Sequence, residues 1–138
     1  MKVTSSQIAA HLFKTKIRTD IEEFWILALS SQLKVLEIEM LTRGTVDSCP
    51  IHLRDIIRFI CLHNASFYMV AHSHPSGDHG PSRQDLNVTR RICKVSELVQ
   101  IPILDHLILS AKGYSSLADR GFFRKRAESI LIRAHEDS

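Results

Sequence analysis

The passage from Ser66 to Asp85 leaves this chain few ways to fold. An apolar run, Ser66 to His74 (SFYMVAHSH), meets a segment with two prolines and two glycines, Pro75 to Pro81. A strand must therefore end at the histidines, a loop must turn the chain, and a helix can begin near Ser82. His72 and His74 stand i, i+2 at the end of that strand, and strand side chains alternate with a period of two. Both imidazoles thus leave the same face. Ser82 and Asp85 have the S-x-x-D spacing of a capping box, which brings a carboxylate to the first turn of the helix. Two imidazoles and a carboxylate with one position left for water form the donor set of a catalytic zinc site, whereas a structural site is closed by four ligands. The stretch predicts a metallohydrolase, with Zn2+ held by His72, His74 and Asp85.

Each of these residues also has an ordinary reading. Ser82 and Asp85 could only start a helix, and a single histidine in a strand is usually just a strand residue. The ordinary reading needs four coincidences inside fourteen residues. The two readings also coexist, because a serine cap can fix the helix that presents the carboxylate.

The remaining pattern surrounds this unit with alternating helices and strands. Thr4 and Gln7 have capping-box spacing ahead of Ile8, Leu12 and Phe13. Glu22 to Ser30 (EEFWILALS) suits a buried strand. Leu33 to Leu41 (LKVLEIEML) alternates Val35, Glu37 and Glu39 against Lys34, Leu36, Ile38 and Met40, as a half-exposed strand does. Arg43-Gly44-Thr45 reads as a turn or bulge. Leu53, Ile56, Ile57, Ile60 and Cys61 mark an amphipathic helix. Val88, Ile92, Val95 and Val99 mark one face of a longer helix, and Ile103 to Ser110 (ILDHLILS) is a further strand that turns at Lys112-Gly113. The tail, about 119–135, looks helical and basic. Without repeats or low-complexity linkers, one α/β domain over residues 1–138 is the economical expectation.

Composition decides little. A chain of 138 residues with 44% hydrophobic and 24% charged residues suits one soluble domain. A net charge of +3 does not by itself announce a nucleic-acid partner. Cys49, Cys61 and Cys93 form no CxxC pair, and Cys61 and Cys93 fall on apolar helical faces, so buried thiols in a reducing compartment are expected. No run approaches the roughly 18 apolar residues of a membrane span, and the start lacks the apolar core of a signal peptide. A cytoplasmic location without membrane contact is expected.

H-S-H-P-x6-S-x2-D resembles the JAMM (MPN/JAB) metalloprotease signature. AHSHPSGDHGPSRQDLNVTRR, LDHLIL and YSSLADRGF are similar to the JAB domain of RadC-type proteins, from about Ser5 to Phe123. RadC-type proteins commonly carry a helix-hairpin-helix region before this domain, and the chain is expected to be the catalytic-type domain alone. Its Ile51-His52-Leu53-Arg54-Asp55 departs from the family's IHPRE-like segment by a leucine for proline, and His79-Gly80 departs from the commoner loop residues. The resemblance implies an α+β domain with a mixed, mainly antiparallel sheet flanked by helices, layered like cytidine deaminases.

It also implies roles. A glutamate early in the first strand would be the general base, and the family's pattern, glutamate two positions before phenylalanine, selects Glu22 over Glu23. Adjacent strand residues face opposite sides, so only one can reach the metal. Glu23 is then a solvated strand-end charge. Ser82 would donate to the developing oxyanion, a role worth roughly 2.7–4 kcal/mol in comparable sites. Asp105-His106 matches the LDH segment and could orient a ligand imidazole from behind, but a histidine inside an apolar strand is more often a core residue, and His106 stays outside the site. His52 reads as a cap or packing residue, and His11, His63 and His135 as surface positions. The implied activity is zinc-dependent cleavage of a peptide or isopeptide amide in a protein or peptide substrate. Two alternatives stand beside it. One is a DNA-associated protein, after the DNA-repair naming of the family, with Arg90, Arg91, Lys94 and the basic run Arg120, Arg124, Lys125 and Arg126 for weak nucleic-acid association. The other is a metal-binding scaffold without proteolytic activity. Nucleobase deamination is disfavoured, since H-x-E and P-C-x-x-C are absent. Oligomeric state is left open.

Overall fold

Ser5 sets the start of the first helix. Its extended backbone (φ −152°) lets its hydroxyl accept from the Ile8 amide at 3.2 Å. The computed structural model describes residues 1–44 and 51–123. Its elements run α1 (Ser6–Lys14), β1 (Glu22–Leu29), β2 (Val35–Gly44), α2 (Leu53–Leu62), β3 (Phe67–Ser73), α3 (Arg83–Val99), β4 (Ile103–Ser110) and β5 (Gly113–Ser116). The strands form one sheet in the order β2-β1-β3-β4-β5. Only β3 and β4 pair in parallel; β1–β2, β1–β3 and β4–β5 are antiparallel. The fold is α+β with a mixed, mainly antiparallel sheet.

Parallel neighbours need a crossover, and α3 supplies it between β3 and β4. That connection places the N-terminus of α3 just beyond the C-terminal end of β3, where the histidines lie. Both faces of the sheet are covered. Leu27, Leu29, Met69, Ala71, Leu107 and Leu109 pack with Phe13 of α1 on one side. Ile26, Val70 and Ile108 pack with Ile56 and Ile60 of α2 and Ile92 of α3 on the other. All eight residues of β4 are buried for this reason. Each fully buried Leu, Ile or Phe contributes roughly 1.5–3 kcal/mol relative to exposure. Among the described residues no helix is long and apolar enough to cross a membrane.

Several sequence expectations need correction. Helix α1 is capped by Ser5 rather than Thr4, because the segment before it is held extended: Val3 N–H donates to the Leu33 carbonyl at 2.8 Å, and Lys2 bridges to Lys34. Strand β2 does not keep a plain alternation. Its pairing to β1 shifts between Ala28 and Leu29, so Val35 and Ile38 pack on the α1 side together while Leu36 is exposed. Arg43 and Gly44 are not a turn; they pair with Glu23 and Glu22. Cys61 is exposed and Cys93 only half-buried, because the inward face of α2 is Ile56, Phe59 and Ile60 and Cys61 lies one step round from it. His63 is half-buried, with its ring 4.6 Å from that of Phe59. Helix α3 buries Asp85, Thr89, Ile92 and Ser96, a stripe rotated from the valine face, with Val88, Val95 and Val99 only half-buried. Cys49, His135 and the basic residues Arg124, Lys125 and Arg126 lie outside the described residues.

Candidate metal centre

The end of β3 carries the first two ligand candidates. His72 is buried, and His74 continues the strand's direction because its N–H donates to the Leu109 carbonyl of β4 at 2.8 Å. The ring centroids lie 4.8 Å apart. A tight turn follows, closed by the Gly77 N–H on the His74 carbonyl at 3.2 Å, and Gly77 sits at φ +86°, where glycine is unstrained. The same loop folds the Asp78 carbonyl onto His74 Nδ1 at 2.8 Å. A carbonyl only accepts, so Nδ1 carries a proton and Nε2 faces the cluster.

Helix α3 supplies the carboxylate. The Ser82 hydroxyl accepts from the Asp85 N–H at 3.1 Å, and Asp85 Oδ2 accepts from the Ser82 N–H at 2.8 Å, a complete capping box. This cap points the buried Asp85 carboxylate at the histidines. Oδ1 lies 3.0 Å from His72 Nδ1, and Oδ2 lies 3.2 Å from His74 Nε2. The cap that starts the helix thus also presents Asp85 to the two histidines.

Strand β1 adds Glu22. Its Oε1 is 2.5 Å from His72 Nε2, while Oε2 is buried without a hydrogen-bond partner among the described residues. Glu22, His72, His74, Ser82 and Asp85 all line one cavity of about 440 Å3. Glu23 does not. It is 1% exposed rather than solvated, and it accepts from Arg43 Nη2 at 2.6 Å, from the Trp25 indole at 3.0 Å and from the Arg18 N–H at 2.9 Å.

Charge and burial compete throughout the cluster. Burial alone would push the His72 imidazole down, but hydrogen bonds and charge from Asp85 and Glu22 outweigh it and raise it to about 9. Asp85 likewise raises His74, against burial. Burial works to raise Asp85 as well, yet the two imidazoles and the Ser82 N–H hold its carboxyl well below the usual range.

The donor set fits a metal ion. One ligand atom each from His72, His74 and Asp85 comes within 4.8 Å of the others. The chain offers borderline nitrogen and hard oxygen donors, three in number, beside a cavity that water can enter, and Glu22, whose Oε2 has no partner among the described residues, lines that cavity. The carboxylates that raise both imidazoles would favour a bound cation in the same way.

A neighbour set aside on sequence grounds also reaches this place. His106 of β4 is 1% exposed and lines the cavity. Its Nδ1 is 2.6 Å from Thr89 Oγ1, which donates to the Asp85 carbonyl, also at 2.6 Å. The strand register could have found it, since His106 faces Val70, two residues before His72 on the same side of β3. His52, by contrast, occupies the N-cap position of α2 without a side-chain cap bond. Arg90, Arg91 and Lys94 are exposed on α3.

The family model for the RadC-like JAB domain matches residues 3–122. Among curated proteins, the chain is similar to a UPF0758 protein of Desulforudis audaxviator, 35% identical over 122 residues that cover 88% of this chain and 53% of that protein. A UPF0758 protein of Syntrophotalea carbinolica is 36% identical over 121 residues, 87% of this chain and 53% of its own length. A third, from Xanthomonas oryzae pv. oryzae, is 41% identical over 101 residues, 73% of this chain and 45% of its own. The chain spans about half the length of the curated relatives it matches.

Proposed function

This chain belongs to the RadC-like JAB domain family, and from that premise we propose that it is a zinc-dependent hydrolase cleaving a peptide or isopeptide amide bond. One observation carries the reading: a buried carboxylate, Glu22, borders the same cavity as the His72, His74 and Asp85 donors. His72, His74 and Asp85 would hold the ion. Zinc in a three-ligand protein site acts as a Lewis acid and makes water acidic enough to attack near neutral pH.

The chain's own groups divide the remaining work. Glu22 takes a proton from the attacking water and returns it to the departing amine nitrogen, the task of a general base that later serves as acid. Its side chain is buried where Phe24 also lines the cavity. Ser82 accepts from the Asp85 N–H, which leaves its hydroxyl proton available to donate to the amide oxygen as charge develops there. Asp85 and the cap that orients it hold the two histidines in register. The substrate is a protein or peptide that brings an amide into the cavity.

The test is metal content and metal-dependent amide cleavage by the purified chain, with a chelator control. About one zinc per chain and hydrolysis lost on chelation are expected. A chain that binds no zinc, or that cleaves equally well after chelation, would end this reading.

A further inference from the structure

Two residues that line the cavity, Glu22 and His106, each hold a buried acceptor without a donor among the described residues. Glu22 Oε2 and His106 Nε2 are both shielded from solvent and both lack a hydrogen-bond partner among the described residues. Their residues line the same cavity. A carboxylate oxygen only accepts, and the state of His106 follows from its neighbours. The Thr89 hydroxyl has one proton, and it goes to the Asp85 carbonyl, which can only accept. Thr89 Oγ1 can therefore meet His106 Nδ1 only as acceptor, so Nδ1 carries the ring proton and Nε2 presents a lone pair. Burial holds this ring neutral, with its pKa pushed down to about 3 and the neighbouring His72 charge acting the same way.

His72, whose ring centroid is 6.3 Å away, cannot supply the missing proton. Its Nδ1 faces Asp85 at 3.0 Å and its Nε2 faces Glu22 at 2.5 Å. A buried acceptor left without a donor is unfavourable, and native structures rarely keep one. Among the described residues nothing supplies that donor, which leaves an occupant of the cavity to provide it.

We infer that His106 is a specificity residue whose Nε2 accepts a hydrogen bond from an N–H or O–H donor on the bound substrate, so that the cavity selects amides still carrying their proton. This rests on the hydrolase reading above. Thr89 is the positioning residue that fixes the tautomer, and the path from His106 through Thr89 to the Asp85 carbonyl ties the acceptor to the ligand cluster.

Two measurements test it. The first titrates the zinc-loaded chain by calorimetry with acetohydroxamate and with N-methylacetohydroxamate, which differ in the N–H. The wild-type chain is expected to prefer the N–H compound roughly tenfold, the scale of one hydrogen bond. His106→Asn keeps a donor near Thr89 but deletes the acceptor, and should level the two affinities with zinc content unchanged. His106→Gln, which returns an acceptor near the Nε2 position, should recover part of the preference. Equal binding by the wild-type chain, or a preference that survives in His106→Asn, overturns the inference. The second measurement needs neither zinc nor activity: nitrogen NMR of the histidine rings should find His106 protonated at Nδ1 and bare at Nε2. A proton on Nε2 overturns the inference whatever the zinc result. A bare Nε2 in a chain that binds no zinc would support the acceptor and overturn the hydrolase reading instead.

Discussion

The carboxylate of Glu22 reaches the imidazole of His72 across two neighbouring antiparallel strands, with Oε1 2.5 Å from Nε2. The next residue, Glu23, points to the opposite side of β1 and is held by Arg43, Trp25 and Arg18. Two adjacent carboxylates therefore have separable work, one toward the cavity and one toward the strand edge.

Glu22→Gln should keep zinc and fold while amide cleavage falls by about 10²–10⁴-fold, the usual weight of a general base. Glu23→Ala should do the reverse. It removes a carboxylate that is 1% exposed and strands a partner, Arg43, that is half-exposed, so a loss of about 1–3 kcal/mol is expected with zinc retained. Zinc analysis, urea denaturation and turnover on both variants check this. Unchanged turnover in Glu22→Gln would move the base elsewhere.

Ser82 and Asp85 hold each other in the capping box, yet their removal should read differently. Ser82→Ala deletes a cap and should lower stability by about 1 kcal/mol, with zinc still bound. Asp85→Ala deletes the cap's return bond and the proposed ligand together, and leaves His72 and His74 without their shared carboxylate. Its zinc affinity should fall by at least 100-fold, measured by competition with a chromogenic chelator. Zinc retained in Asp85→Ala would show that the ligand set is wrong.

The strand, loop and capped helix from Ser66 to Asp85 were legible because each signal was local: an apolar run, a Pro/Gly loop and a cap spacing. Strands β1 and β4 were legible as apolar runs for the same reason. The inner face of α3 was not, since apolar periodicity searches for valines, and this face buries Asp85, Thr89 and Ser96. Each polar side chain finds a partner only in the fold: Asp85 the histidines, Thr89 His106, and Ser96 the hydroxyl of Tyr68. The burial of Glu23 depended on Arg43, which arrives through a bulged pairing that no alternation count reveals. His106 looked like core and is core. What the sequence hid was that its Nε2 is left without a partner among the described residues, in a residue that lines the cavity.

Acid should destabilise the chain through His106. An unfolded histidine titrates near 6.5, whereas burial holds His106 down to about 3. Between those values the unfolded chain binds a proton that the folded chain refuses, so stability is full above 6.5 and falls as pH drops toward 3. The slope is up to about 1.4 kcal/mol per pH unit. Comparing the wild-type chain with His106→Asn at the same metal content cancels the contributions of the ligand residues. Denaturant midpoints measured from pH 7 to pH 4 should converge or cross as the wild type loses its advantage. Parallel curves would contradict a neutral buried ring.

Thr89→Val tests the link between the helix and that ring. The substitution keeps the shape and removes one hydroxyl, so it breaks two hydrogen bonds at once, to the Asp85 carbonyl and from His106 Nδ1. Both groups are buried, and leaving the imidazole N–H unpaired should lower stability by about 1–3 kcal/mol, seen as a melting temperature reduced by several degrees. A second effect separates this site from an ordinary core hydroxyl. With Thr89 gone, nothing fixes the proton on Nδ1, and the ring can carry it on Nε2 instead. Thr89→Val should therefore lose stability and also shift the His106 proton toward Nε2 in nitrogen NMR. A loss of stability with the tautomer unchanged would reduce Thr89 to packing alone.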